Sequence, residues 1–125
     1  MVCPDNIIFR TNSFVQKSCI QGLPFISHKV SRLDGRYRTV VISTDLGDPR
    51  GIAVYPAKGL MFWTDHGRRG KVERSSMDGT GRQSLVQRGT IESPIGITLD
   101  YQEDKVYWVD ESLDVIWKMD LDGGE

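Results

Sequence analysis

Two carboxylates stand two residues beyond a tryptophan, in Trp63-Thr64-Asp65 and Trp108-Val109-Asp110, 45 residues apart. A carboxylate closing an apolar strand could act as a general acid or base, ligate a metal, or accept hydrogen bonds. Asp65 lies on the same side of its strand as Met61 and Trp63, and Asp110 on the same side as Val106 and Trp108. Burial there costs on the order of several kcal/mol unless the charge is hydrogen-bonded. The pattern therefore predicts that both aspartates accept bonds from backbone N–H groups or hydroxyls of the adjoining blade, as architectural pegs and not as catalytic acids.

Other residues with chemical potential carry weaker signals. His66 follows Asp65 beside Arg68, Arg69 and Lys71, and histidine is the side chain whose charge changes between pH 5 and 8. Gly67-Arg68-Arg69-Gly70-Lys71 could bind an anion, although loop charges are ordinarily only solvated. Asp120-Leu121-Asp122-Gly123 resembles the start of a calcium loop but has no glycine at the sixth position or acid at the twelfth, so a hairpin turn is expected. No G-x-S-x-G, P-loop or HExxH is present, and no cofactor or metal is expected. Cys3 and Cys19 permit a small disulfide loop in an oxidising compartment or remain free thiols; no CxxC accompanies them.

The elements that hold these residues are written in an internal repeat. Pro49-Arg50-Gly51-Ile52 matches Pro94-Ile95-Gly96-Ile97 at an offset of 45, and Asp78-Gly79 matches Asp122-Gly123 at 44. One residue is thus lost between Asp110 and Ile116, as a loop allows. Leu33-Asp34-Gly35 precedes Asp78-Gly79 by 44 and marks the second half of an earlier copy. Such a period points to a propeller or solenoid. Turn signals cut the complete copy into strands Gly51–Tyr55, Leu60–Asp65, Lys71–Met77 and Arg82–Gln87, with Asp-Gly marking a tight hairpin. The next copy supplies Gly96–Asp100, Lys105–Asp110 and Val115–Leu121. Apolar residues on both faces of Leu60–Asp65 and Lys105–Asp110 predict sheets sandwiched between neighbours.

The chain is 125 residues long, 38% hydrophobic and 26% charged, with a formal charge of -1, so it has no general attraction for nucleic acid. No apolar run reaches the roughly 18 residues of a membrane-spanning helix. The N-terminus lacks a signal-peptide pattern.

Phe62-Trp63-Thr64-Asp65 and Tyr107-Trp108-Val109-Asp110, each followed by an Asp-Gly turn, resemble the YWTD, or low-density lipoprotein receptor class B, repeat. Arg82 and Arg38 meet the family's arginine near the start of strand four; Tyr55 replaces an aspartate that Asp100 keeps. The resemblance implies an all-β fold of antiparallel four-stranded blades, about two blades' worth of a six-bladed propeller. It divides the chain into a weakly ordered, unassigned segment 1–25 and repeats over 26–125: half a blade at 26–43, a whole one at 49–88 and an incomplete one at 94–125. Two blades cannot close such a ring and would leave apolar faces open to association.

In function, the resemblance implies a non-catalytic extracellular module that binds a protein ligand or neighbouring receptor modules, as a fragment of a lipoprotein-receptor-related receptor ectodomain. A calcium-dependent propeller hydrolase and a nidogen-like matrix protein are the alternatives. In an up-and-down blade, loops after strand two and links between blades share one ring face, so His66, Arg68, Arg69, Glu111 and Asp114 mark the expected protein-binding face.

Overall fold

The computed structural model describes residues 7–10, 13–19, 26–32, 39–67, 70–86 and 91–123. These form eleven strands in three antiparallel sheets, each sheet ordered as the chain runs. The first sheet holds β1 (Ile7–Arg10), β2 (Ser13–Cys19), β3 (Ile26–Arg32) and β4 (Thr39–Ile42). The second holds β5 (Pro49–Tyr55), β6 (Leu60–Asp65), β7 (Lys71–Ser76) and β8 (Gln83–Val86). The third holds β9 (Pro94–Asp100), β10 (Lys105–Asp110) and β11 (Val115–Asp120).

Two features differ from the sequence expectation. Strands β1 and β2 lie inside the stretch 1–25 that carries no repeat signature, and β2 pairs with β3 from Ser13↔Arg32 to Cys19↔Ile26. Strand pairing draws on backbone groups that nearly any sequence supplies, so the missing Trp-x-Asp did not prevent a sheet. Burial of β10 also departs from the expectation: Val106, Trp108 and Asp110 are buried, whereas Tyr107 and Val109 on the opposite face are only half-buried. Strand β6, by contrast, is covered on both faces from Met61 to Asp65. The Cys3–Cys19 question lies outside the described side chains.

Turn chemistry sets the hairpins. Pro56–Lys58 forms one turn of 3-10 helix between β5 and β6, closed by Gly59 in the left-handed region, φ 64°. Between β7 and β8, Gly79 has φ 89°, which an L side chain resists. The Asp78 Oδ1 accepts from the Thr80 N–H and hydroxyl at 2.9 and 2.6 Å, and these bonds hold its carboxyl below the usual range. At Asp120–Gly123 the chain makes a turn closed by Gly123 N–H donating to Asp120 O, the hairpin geometry expected there.

Apolar faces stack sheet on sheet. Met61, Trp63, Ile52 and Val54 pack with Val41 and Ile42 of the first sheet; Phe62 and Val72, on the other side, pack with Val106, Trp108 and Met119 of the third. The same step is taken twice: the Gly79 turn sits on the Val41 backbone, and the Gly123 turn on Leu85, both pairs being shifted by 44. A constant step between blades is what builds a propeller arc.

Candidate functional site: the loop face

Each Trp-x-Asp carboxylate is placed by the end of its strand beneath the link that enters its own sheet, so its partners are that link and the loop after its own strand, not the adjoining blade as expected, because the link passes directly over the strand end. Asp65 accepts from the N–H groups of Gly47 (2.8 Å), Asp48 (2.7 Å) and Gly67 (2.9 Å). Asp110 accepts from Glu92 (2.7 Å), Ser93 (3.1 Å), Ser112 (3.1 Å) and Leu113 (3.2 Å). Both aspartates are at most 1% exposed. Burial pushes the Asp110 carboxyl up, but backbone donation from Glu92, Ser93, Leu113 and Ser112 outweighs it and holds the group below its ordinary value. With their oxygens taken up by N–H donors, these carboxylates are poorly placed to serve as bases.

Thr64 joins the second sheet to the third. Its hydroxyl accepts from Gly51 N–H at 2.9 Å and donates to Ile95 O at 2.5 Å. Gly51 is required there: a Cβ would lie 2.5 Å from that same carbonyl.

A buried ionic cluster, which the Trp-x-Asp pattern did not disclose, supports β7. Glu73 is 4% exposed. It accepts from Trp63 Nε1 at 3.1 Å and Arg82 Nη2 at 2.8 Å, with Lys71 Nζ at 3.5 Å. Arg82 also donates to the carbonyls of Thr44 and Asp45, tying β8 to the link from the first sheet. In the third sheet Trp117 occupies the position of Glu73; it stacks on Trp108 with ring centroids 6.2 Å apart, and neither indole N–H finds an acceptor among the described residues. On the opposite end, Tyr55 reaches from the second sheet to the third, donating to Asp104 Oδ1 at 2.7 Å, and Tyr101 OH donates back to Val54 O at 2.8 Å. The Asp104 bond raises the Tyr55 phenol above its usual value.

His66 and Glu111 each sit against the link that enters their own sheet. His66 N–H donates to Asp48 O and, 45 residues on, Glu111 N–H donates to Ser93 O. His66 Nε2 is 3.0 Å from Ser93 Oγ, which accepts from Ser112 Oγ at 2.7 Å. His66 Nδ1 is 3.8 Å from Asp48 Oδ2, itself bound to Arg50. Asp48, His66 and Ser93 thus stand in acid–base–hydroxyl order, but 3.8 Å is too long for the hydrogen bond that would orient the imidazole. Glu111 and Asp114 are exposed. Arg68 and Arg69 lie outside the described residues. Among the described residues no group of three His, Cys, Asp or Glu could hold a metal.

Residues 59–101 match the family model for the low-density lipoprotein receptor repeat class B. The chain is 44% identical over 79 residues to the vitellogenin receptor of Drosophila melanogaster, a match covering 63% of this chain and 4% of that receptor. A solved chain of the nidogen/laminin complex is 34% identical, with a TM-score of 0.71 over 79% of this chain and 36% of its own. A gluconolactonase from Xanthomonas campestris, 14% identical, shares the fold with a TM-score of 0.76 over 96% of this chain and 44% of its own. The matched segment runs through β6, β7, β8 and β9 and includes Phe62, Trp63, Thr64, Asp65 and the Asp78-Gly79 turn.

Proposed function

We propose that the chain is part of a non-catalytic, extracellular, protein-binding propeller of a lipoprotein-receptor-type ectodomain, with the loop face carrying the contact. The observation that supports it most is the 44% identity to a vitellogenin receptor, alongside a class B repeat at residues 59–101. The chain spans only a small part of that receptor, so the ligand is proposed by analogy with the receptor's name: a vitellogenin. Exposed Glu111 and Asp114 suit a partner segment rich in lysine and arginine.

The hydrolase alternative finds little support in the strands that an axial site would use. Asp100, the acidic residue ending β9, is spent on the N–H groups of Gln102 and Glu103, and the corresponding Tyr55 is held by Asp104. Purified vitellogenin offered to the immobilised 125-residue chain tests the proposal. Saturable binding is expected, weakened at least tenfold in the double variant Glu111→Lys, Asp114→Lys. No binding at tens of micromolar, or hydrolysis of gluconolactone that calcium accelerates, contradicts it.

A further inference from the structure

The turn between β10 and β11, residues 111–114, exposes all four of its residues, Leu113 at 39%. It is nonetheless fixed. The Ser112 and Leu113 N–H groups both donate to the buried Asp110 Oδ1, at 3.1 and 3.2 Å, and the Ser112 hydroxyl donates to Ser93 Oγ at 2.7 Å. Asp114 closes the turn in the left-handed region, φ 53°. Asp45, Asp48, Asp104 and Asp120 are each paired with a lysine or arginine, whereas the Glu111 and Asp114 side chains have no hydrogen bond or ion pair among the described residues. One repeat earlier the corresponding loop reads His66-Gly67-Arg68-Arg69-Gly70, one residue longer and basic. The acidic and apolar character thus belongs to this turn and not to the repeat, and loops that vary on a fixed scaffold are where contacts are made.

We propose that this turn recognises a lysine or arginine of the partner together with an apolar side chain beside it, Glu111 and Asp114 answering the cation and Leu113 covering the apolar group. The proposal rests on the vitellogenin reading and goes beyond it by assigning an apolar half to the contact. Two unpaired carboxylates in one turn set the sign of the partner. Exposed ion pairs contribute little by themselves and are screened by salt, whereas burial of apolar surface does not depend on charge. Leu113 therefore supplies what the carboxylates cannot. Because Asp110 and Ser93 already hold the turn, little of its freedom remains to be lost on binding, which favours a contact built on so few side chains.

Purified vitellogenin offered to the immobilised intact chain tests this at low salt and at about 1 M salt, where charges are screened beyond about 3 Å. The wild type should keep measurable affinity at high salt. Leu113→Ser should weaken binding at least tenfold at low salt and remove it at high salt, with the circular dichroism spectrum unchanged because the side chain is exposed. Leu113→Met, which keeps the apolar surface, should bind as the wild type does. Glu111→Gln with Asp114→Asn should lose affinity at low salt and make what remains indifferent to salt. Vitellogenin binding that Leu113→Ser leaves unchanged, or wild-type binding that vanishes at high salt, would overturn this proposal while the vitellogenin reading stands. Absence of wild-type binding at low salt would overturn both.

Discussion

Asp110 is the residue at which burial and hydrogen bonding oppose each other most plainly. Replacing it by asparagine removes the charge that four N–H groups answer, and the amide NH₂ would face those donors. The expected loss is about 2–4 kcal/mol by denaturant unfolding at neutral pH. Its pH dependence follows from its lowered folded pKa. A group depressed on folding contributes stability that is fully present above its unfolded value, about 3.9, and is lost as pH falls through the folded value. The wild type should therefore lose stability below about pH 4, and Asp110→Asn should flatten that slope; an unchanged acid limb would remove Asp110 from the account. Glu73→Ala leaves Arg82, Lys71 and the Trp63 indole without their shared acceptor, with an expected cost of about 3–5 kcal/mol. The Trp-x-Asp pegs were legible because the pattern occurs twice. Glu73 was not: a Lys-Val-Glu-Arg strand reads as half-exposed, and only the register Trp63↔Glu73 brings the carboxylate to the indole.

Element boundaries follow local chemistry that a sequence displays. Pro49 opens β5, Gly59 and Gly79 turn the chain, and β6 and β10 run from Leu60 to Asp65 and from Lys105 to Asp110 as alternation and turn residues predict. What stayed hidden were relations between elements. Strands β1 and β2 have no Trp-x-Asp or Asp-Gly signature, and the half-buried face of β10 depends on what lies beyond it rather than on its own apolar residues. Thr64 shows how one hydroxyl couples β5 to the next sheet through Gly51 N–H and Ile95 O. Thr64→Val, which keeps the shape and gives the residue found at position 109, should cost about 1–3 kcal/mol because both backbone groups lose a buried partner. Equal stability of mutant and wild type in urea would contradict that coupling. Gly51→Ala should be at least as damaging, since its Cβ would collide with backbone rather than with a movable side chain.

At the scale of the whole molecule, three sheets hold together through a repeated step, with a carboxylate pinning each described link. Ordinary surface links exchange their amide hydrogens quickly, having no partner but water. Here the links are predicted to behave as part of the sheets. The most direct measurement is a residue-resolved amide-exchange map of the 125-residue chain at neutral pH. Gly47, Asp48, Glu92 and Ser93 should be protected and should exchange together with the amides of β6 and β10, because Asp65 and Asp110 release them only when the sheets separate. Rapid exchange at those four positions while β6 and β10 stay protected would contradict the claim that the Trp-x-Asp carboxylates hold the propeller arc together.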